Sequence, residues 1–174
     1  MALRLDKILR IGVFITSHGF GHATRTCAVL NEITQRSNCS IDIFSTLPPW
    51  FLEQNILCKN FEAHYLETDV GLVQKSPFVH DLQETIQQLK DFLLFRSVDS
   101  QKAITISKKK NFDLIISDIS PLGIKIAHQL GVQSVLIENF TWDWIYCQYR
   151  ESHKQFDAII ETLREIFERS GLHI

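Results

Sequence analysis

From Ile8 to Thr16 (ILRIGVFIT) the chain is dense in β-branched and aromatic residues and stops at a glycine-containing bend, the pattern of a buried strand. The period then changes. Ala23, Cys27, Leu30 and Ile33 recur at helical spacing on one face, which predicts a helix from about His22 to Gln35. Ser40 to Thr46 reads as a second strand, ended by Pro48 and Pro49, and Phe61 to Leu66 as a weaker third. Leu82, Ile86, Leu89 and Leu93 carry the helical period through a long polar segment, predicting a helix whose end the pattern leaves open, between about Asp81 and Lys108.

A cleaner unit follows. Asp113 to Ile119 is a strand, Ser120 stands at an N-cap with Pro121 in the first helical turn, Ile124, Ala127 and Leu130 form a stripe, and Gly131 sits where the helix ends. Val132 to Ile137 is another strand, and Phe156, Ile159, Ile160, Leu163, Ile166 and Phe167 mark a last amphipathic helix that Gly171 would stop. Strands alternating with helices predict a doubly wound α/β domain, a mostly parallel, Rossmann-like sheet with helices on both faces, because parallel strands need crossovers. No repeat or low-complexity linker divides the chain, so residues 1–174 are expected to form one domain. Ligands in such sheets bind outside the carboxyl ends of the strands, which gathers residues 17–25, 45–50, 64–74, 118–121 and 138–146 on one rim.

Composition narrows the partners. Eighteen basic and twenty acidic residues leave a net charge of -2, giving no electrostatic footprint for a nucleic acid; Lys108 to Lys110 read as a solvated helix end. No apolar stretch approaches the roughly 20 residues that span a bilayer. Charges within Met1 to Arg10 interrupt what a signal peptide would need as an apolar core, and four scattered cysteines form no CxxC pair. A cytoplasmic protein with reduced thiols is expected.

The chemistry concentrates in Ile15 to Arg25 (ITSHGFGHATR). A dinucleotide cradle needs GxGxxG and an acid after the second strand, but Gly19-Phe20-Gly21 supplies half of it, Thr24 replaces the third glycine, and the strand ends in Phe44-Ser45-Thr46. A metal clip would use His18 and His22, yet glycines put them on a turn and no neighbouring cysteine or acid completes a ligand set. The third reading is a general base: an imidazole whose tautomer is held by a carboxylate, with Asp118 on an adjacent strand end as the partner. Against it stands a structural reading, in which one histidine packs the turn and Asp118 caps the following helix.

These residues resemble a known family. SHGFGHATR is similar to the first loop of GT-B glycosyltransferases, most of all to the glycosyltransferase-like region at the front of L-arabinokinases and related bacterial proteins; DVGLVQ (69–74), LIISDIS (114–120) and NFTWDWIY (139–146) add three further blocks in order. The resemblance covers nearly the whole chain. It implies that His22 deprotonates the acceptor hydroxyl, with His18 the second choice and Asp118 orienting the base. It implies substrate contacts from Ser17, Gly19, Phe20, Gly21, Asp69, Gly71 and Asn139, with the glycines letting backbone approach the ligand. Arg25 would meet an anionic acceptor or the donor's phosphates, or else form a surface salt bridge.

Phe140, Trp142 and Trp144 could stack on a sugar or pack the core, and at least one tryptophan is expected in the core. Asp143 faces the cleft or finds a donor, and Trp50 is a lid or a turn anchor. In GT-B enzymes a second, carboxy-terminal domain holds the nucleotide sugar, and the resemblance places this chain in the first. The expected function is the acceptor-binding half of an inverting GT-B glycosyltransferase, active only with a donor-domain partner chain, with a nucleotide sugar as co-substrate and neither cofactor nor metal. The alternatives are a non-catalytic carbohydrate or nucleotide-sugar binding module and an interaction subunit docking through the last helix.

Overall fold

The computed structural model describes residues 8–58 and 60–174. Its centre is a wholly parallel six-stranded sheet of β1 (Leu9–Ile15), β2 (Cys39–Ser45), β3 (Phe61–Tyr65), β6 (Leu114–Asp118), β7 (Gln133–Ile137) and β8 (Leu172–His173), in the order β3-β2-β1-β6-β7-β8. A separate antiparallel hairpin joins β4 (Gln74–Ser76) to β5 (Val79–His80). The two-residue period of the strands divides their side chains between two cores. Ile11, Val13 and Ile15 meet Ile41, Ile43 and Ile116 beneath α1 (Phe20–Arg36) and α2 (Pro49–Asn55). Phe14, Phe44 and Ile115 enter the other core with α3 (Leu82–Phe92), α4 (Val98–Lys110), α5 (Pro121–Leu130), α6 (Trp142–Cys147) and α7 (Phe156–Phe167). This is the doubly wound sheet expected from the sequence.

Several boundaries differ from the expectation for physical reasons. The helix of open end expected within residues 81–108 stops at Phe92 and a second begins at Val98, because Phe95 turns the chain at φ 52° and the Ser97 hydroxyl caps α4 by accepting from Ser100 N at 3.1 Å. Pro48 and Pro49 end a strand but also start a helix, with Pro49 in its first turn, where a missing N–H costs nothing. Ser120 precedes α5 without capping it; its hydroxyl donates to the Thr68 carbonyl at 2.8 Å, tying β6 to the segment after β3. The last helix stops at Phe167, before Gly171, whose N–H binds Ser134 O and leads into β8.

All four cysteines are free thiols, and burial pushes Cys27 up to about 11. Among the described residues no helix is long and apolar enough to cross a membrane. The charged residues before Ile8, used above against a signal peptide, lie outside the described residues.

Candidate functional site

The winding of the sheet reverses between β1 and β6, and an open α/β sheet leaves its ligand crevice at that point. Asp118 closes β6 there, its carbonyl accepting from Thr16 N at 3.3 Å. After β1 the chain bends through Gly19, whose φ of 125° suits glycine, and α1 starts at once. His22, Arg25 and Thr26 follow at i, i+3 and i+4, so one face of α1 presents all three to Asp118. His22 Nδ1 lies 2.8 Å from Oδ1, Arg25 Nη2 2.6 Å from Oδ1 and Nε 3.2 Å from Oδ2, and the Thr26 hydroxyl donates to Oδ2 at 2.6 Å.

Asp118 is 0% exposed, so these donors stand in for water around its carboxylate. His22 Nδ1 lies 3.2 Å from Arg25 Nη2 as well, but its shorter contact is with the carboxylate; the tautomer that donates to Asp118 carries its proton on Nδ1 and its lone pair on Nε2. Nε2 of His22 makes no hydrogen bond among the described residues. Such a nitrogen can accept a proton from a ligand hydroxyl. Beside the site Ile119, β-branched and buried, is held at φ 44°, a strained conformation at the strand-to-helix turn.

Not every expected residue is where the sequence reading put it. Arg25 forms a salt bridge, but inward: its guanidinium is turned onto Asp118, and Nη1 donates to Asn139 Oδ1 at 3.1 Å. Asn139 is thereby a support for Arg25. Asp143 finds Arg164 Nε at 3.9 Å. Trp142 is buried and is the core tryptophan, whereas Trp144 is 67% exposed. Phe140 sets its ring edge-on against His22, centroids 5.3 Å apart, and shares a recess of about 340 Å³ with Glu138, Asn139, Thr141 and Trp144. Phe20 packs on Phe51 and faces Trp50 across an exposed ledge, and α2 is anchored in the core by Phe51 and Leu52. Gly21 lies in the first turn of α1, where an added methyl would meet no protein atom of the described residues within 4 Å, so no packing among them requires glycine there.

A second imidazole–carboxylate pair stands beside the first. His18 Nε2 is 4.0 Å from Asp69 Oδ1, and the buried Asp69 accepts from Trp142 Nε1 at 2.8 Å. Burial pushes the Asp69 carboxyl up, opposed by His18, by the Thr16 and Trp142 hydrogen bonds and by His22. Gly71 is needed here: a Cβ would stand 2.5 Å from His18 Nδ1, so only glycine lets this loop lie on the ring. The Tyr146 hydroxyl, donating to Val70 O at 2.6 Å, pins the same loop to α6. Three sequence blocks far apart in the chain thus converge on His18. A recess of about 190 Å³ lies on one side, lined by Ser17, Thr46, Glu67 and Gln88 among others, and one of about 440 Å³ on the other, toward Gln74 and His80.

Thr16, Thr26, Thr68 and Gln88 were missed by the sequence reading. Thr26 carried a signal, its i+4 spacing from His22; the others lie on separate elements and carried none.

No family model matches the chain. L-arabinokinase of Arabidopsis thaliana is 24% identical over 145 residues, 83% of this chain and 14% of that protein. CalG4, the calicheamicin glycosyltransferase, superposes with a TM-score of 0.57 at 14% identity, over 91% of this chain and 43% of that one. A Listeria monocytogenes protein assigned as a UDP-N-acetylglucosamine 2-epimerase gives 0.52 at 8% identity, over 97% and 39%. The chain thus spans about one seventh of the kinase and about two fifths of these structures. The fold is the Rossmann-like fold of GT-B glycosyltransferases. A transferase and an epimerase share it, so the chemistry is argued from the site.

Proposed function

We propose that this chain is the acceptor-side domain of a GT-B glycosyltransferase, with His22 the base that activates the acceptor hydroxyl and a second α/β domain holding the nucleotide sugar. The observation that carries this reading is the 2.8 Å contact between His22 Nδ1 and the buried Asp118 at the switch point of the sheet, with Nε2 unbonded. The acceptor O–H gives its proton to Nε2 while its oxygen attacks the anomeric carbon. The bond from that carbon to the phosphate oxygen breaks, the nucleoside diphosphate leaves with the electron pair, and attack from the opposite face inverts the configuration. Asp118 steadies the imidazolium through Nδ1–H; Arg25 and Thr26 act only by positioning Asp118. General-base help of this kind is worth about 10²–10⁴ in rate.

One observation favours a second reading, a non-catalytic carbohydrate or nucleotide-sugar binding module: the His22 side chain is only 11% exposed, and Phe140 stands over its ring. The test is nucleoside-diphosphate release from a panel of UDP-, dTDP- and GDP-sugars by the chain supplied with a nucleotide-sugar-binding half. The base reading expects His22→Ala to lower that release by about 10²–10⁴. Unchanged release would sink it. Equal sugar affinity in wild type and His22→Ala, with no release in any pairing, is the outcome that selects the module.

A further inference from the structure

The recess on the Asp69 side of His18 differs from the rest of the rim in three respects that together define a ligand. It is small. Its volume of about 190 Å³ is below the roughly 300–1,000 Å³ of pockets that take drug-sized molecules, and corresponds to about six waters at roughly 30 Å³ each. Much of its lining is polar, with the hydroxyls of Ser17 and Thr46, the Glu67 carboxylate, the Gln88 amide and the His18 imidazole, and residues 70–73 add a mostly apolar strip. No lysine or arginine lines it.

The walls are also fixed in place. Thr46 donates to Ser17 Oγ at 2.7 Å, joining the ends of β1 and β2; Ser120 and Trp142 hold Thr68 and Asp69 from β6 and α6; Gly71 lies against the His18 ring. Preorganised hydroxyl, amide and carboxylate groups favour a ligand that is itself a dense set of hydroxyls, since each can trade one water for one ligand oxygen. The Glu67 carboxylate, with no lysine or arginine in the lining, repels an anion, and the polar side of the recess leaves its hydrogen bonds unmade against a flat apolar ring.

We infer that this recess is a binding site for one uncharged monosaccharide, so that the acceptor is a neutral sugar, free or as the terminal unit of a glycan, and neither an acidic sugar nor a planar aromatic alcohol. The inference rests on the acceptor-side reading above and names its substrate class. His18, held over the buried Asp69, positions the sugar against Glu67 and Gln88, on the rim to which His22 also belongs.

The experiment is a ligand-observed NMR titration of the chain with D-glucose, D-xylose and D-galactose, beside D-glucuronate and umbelliferone. At least one neutral sugar is expected to bind more than about tenfold more tightly than glucuronate and umbelliferone. Thr46→Val and Gln88→Leu, checked as folded by circular dichroism, should each weaken it by about fivefold or more, the usual worth of one hydrogen bond. Lys110→Ala, near the amino-terminal ends of the strands and away from this rim, should leave it unchanged. Glucuronate or umbelliferone binding as tightly as every neutral sugar overturns the inference, as does no neutral-sugar binding, or neutral-sugar binding untouched by both variants. The His22 reading fails separately: neutral-sugar binding with transfer indifferent to His22→Ala rejects the base and keeps the site. His22-dependent transfer to umbelliferone with no sugar binding does the reverse.

Discussion

Two histidine–aspartate pairs lie on this sheet, alike in distance and different in what surrounds them. His22 is 2.8 Å from Asp118 at the carboxyl end of β6, and His64 is 2.7 Å from Asp42 within the β2–β3 pair. Both carboxylates also hold a cation, Arg25 at 2.6 Å and Lys110 at 2.9 Å. The imidazoles differ. His64 turns Nε2 to Asp42 and Nδ1 toward Glu62 at 3.9 Å, with Phe44 against its ring, so acidic groups face both nitrogens. His22 has one nitrogen anchored and the other open. The two pairs share a buried histidine–aspartate contact and are separated by the second nitrogen, which faces Glu62 at 3.9 Å in His64 and, among the described residues, no acid within ion-pair distance in His22.

Asp42, Glu62 and His64 could together ligate a metal, the one such cluster among the described residues, but the Lys110 ammonium lies on both carboxylates. Its hydrogen bonds hold Glu62 below the usual carboxylate range, and those carboxylates raise Lys110 in turn. That cluster is an ion-pair network closing the β2–β3 edge.

The sharpest way to break the contrast is to remove each carboxylate. Asp118→Ala strands Arg25 and leaves Thr26 without its acceptor, and should cost about 3–5 kcal/mol in urea unfolding. Asp42→Ala should cost roughly half of that, because the partly exposed Lys110 can swing into water; equal costs would erase the distinction. Next come the histidines. His22→Ala should lower transfer by about 10²–10⁴ with little change in melting temperature. His64→Ala should leave transfer intact and cost about 1–3 kcal/mol, since Asp42 loses a donor and Phe44 a packed ring. A rate loss in His64→Ala would count against the assignment.

Salt sharpens the comparison further. Lys110→Met should cost at most about 1 kcal/mol at low ionic strength and nearly nothing in 1 M salt, whereas Arg25→Met should cost more and keep most of its effect, its partner being fully buried. The smallest effect concerns Asp69. Its folded carboxyl is raised, so its contribution to stability is present below the unfolded value near 4 and is lost as pH rises through the folded value. Asp69→Asn should therefore be more destabilising at pH 4 than at pH 8, read as the difference in unfolding free energy. The opposite order would mean that His18 and the hydrogen bonds outweigh burial.

Much of this was legible in the chain itself. The apolar runs at residues 8–16, 40–46 and 113–119 and the stripes of α1, α5 and α7 specify the doubly wound sheet, because a two-residue or 3.6-residue period is a local property of the backbone. Gly19, His22 and Asp118 could likewise be named as candidates from residue type and their places after strands. Short elements escaped: β4, β5 and β8 have two or three residues each, too few for any period to register. The direction of side chains was not there to be read either. Arg25 turns inward because a buried carboxylate 93 positions along the chain draws it, Trp142 enters the core to reach Asp69, and Ser120 bonds Thr68 in place of its own helix. Local patterning determined the elements and the edge on which they converge. Which of two similar imidazoles keeps an open nitrogen was decided only by strand order, since that alone sets what each buried carboxylate meets.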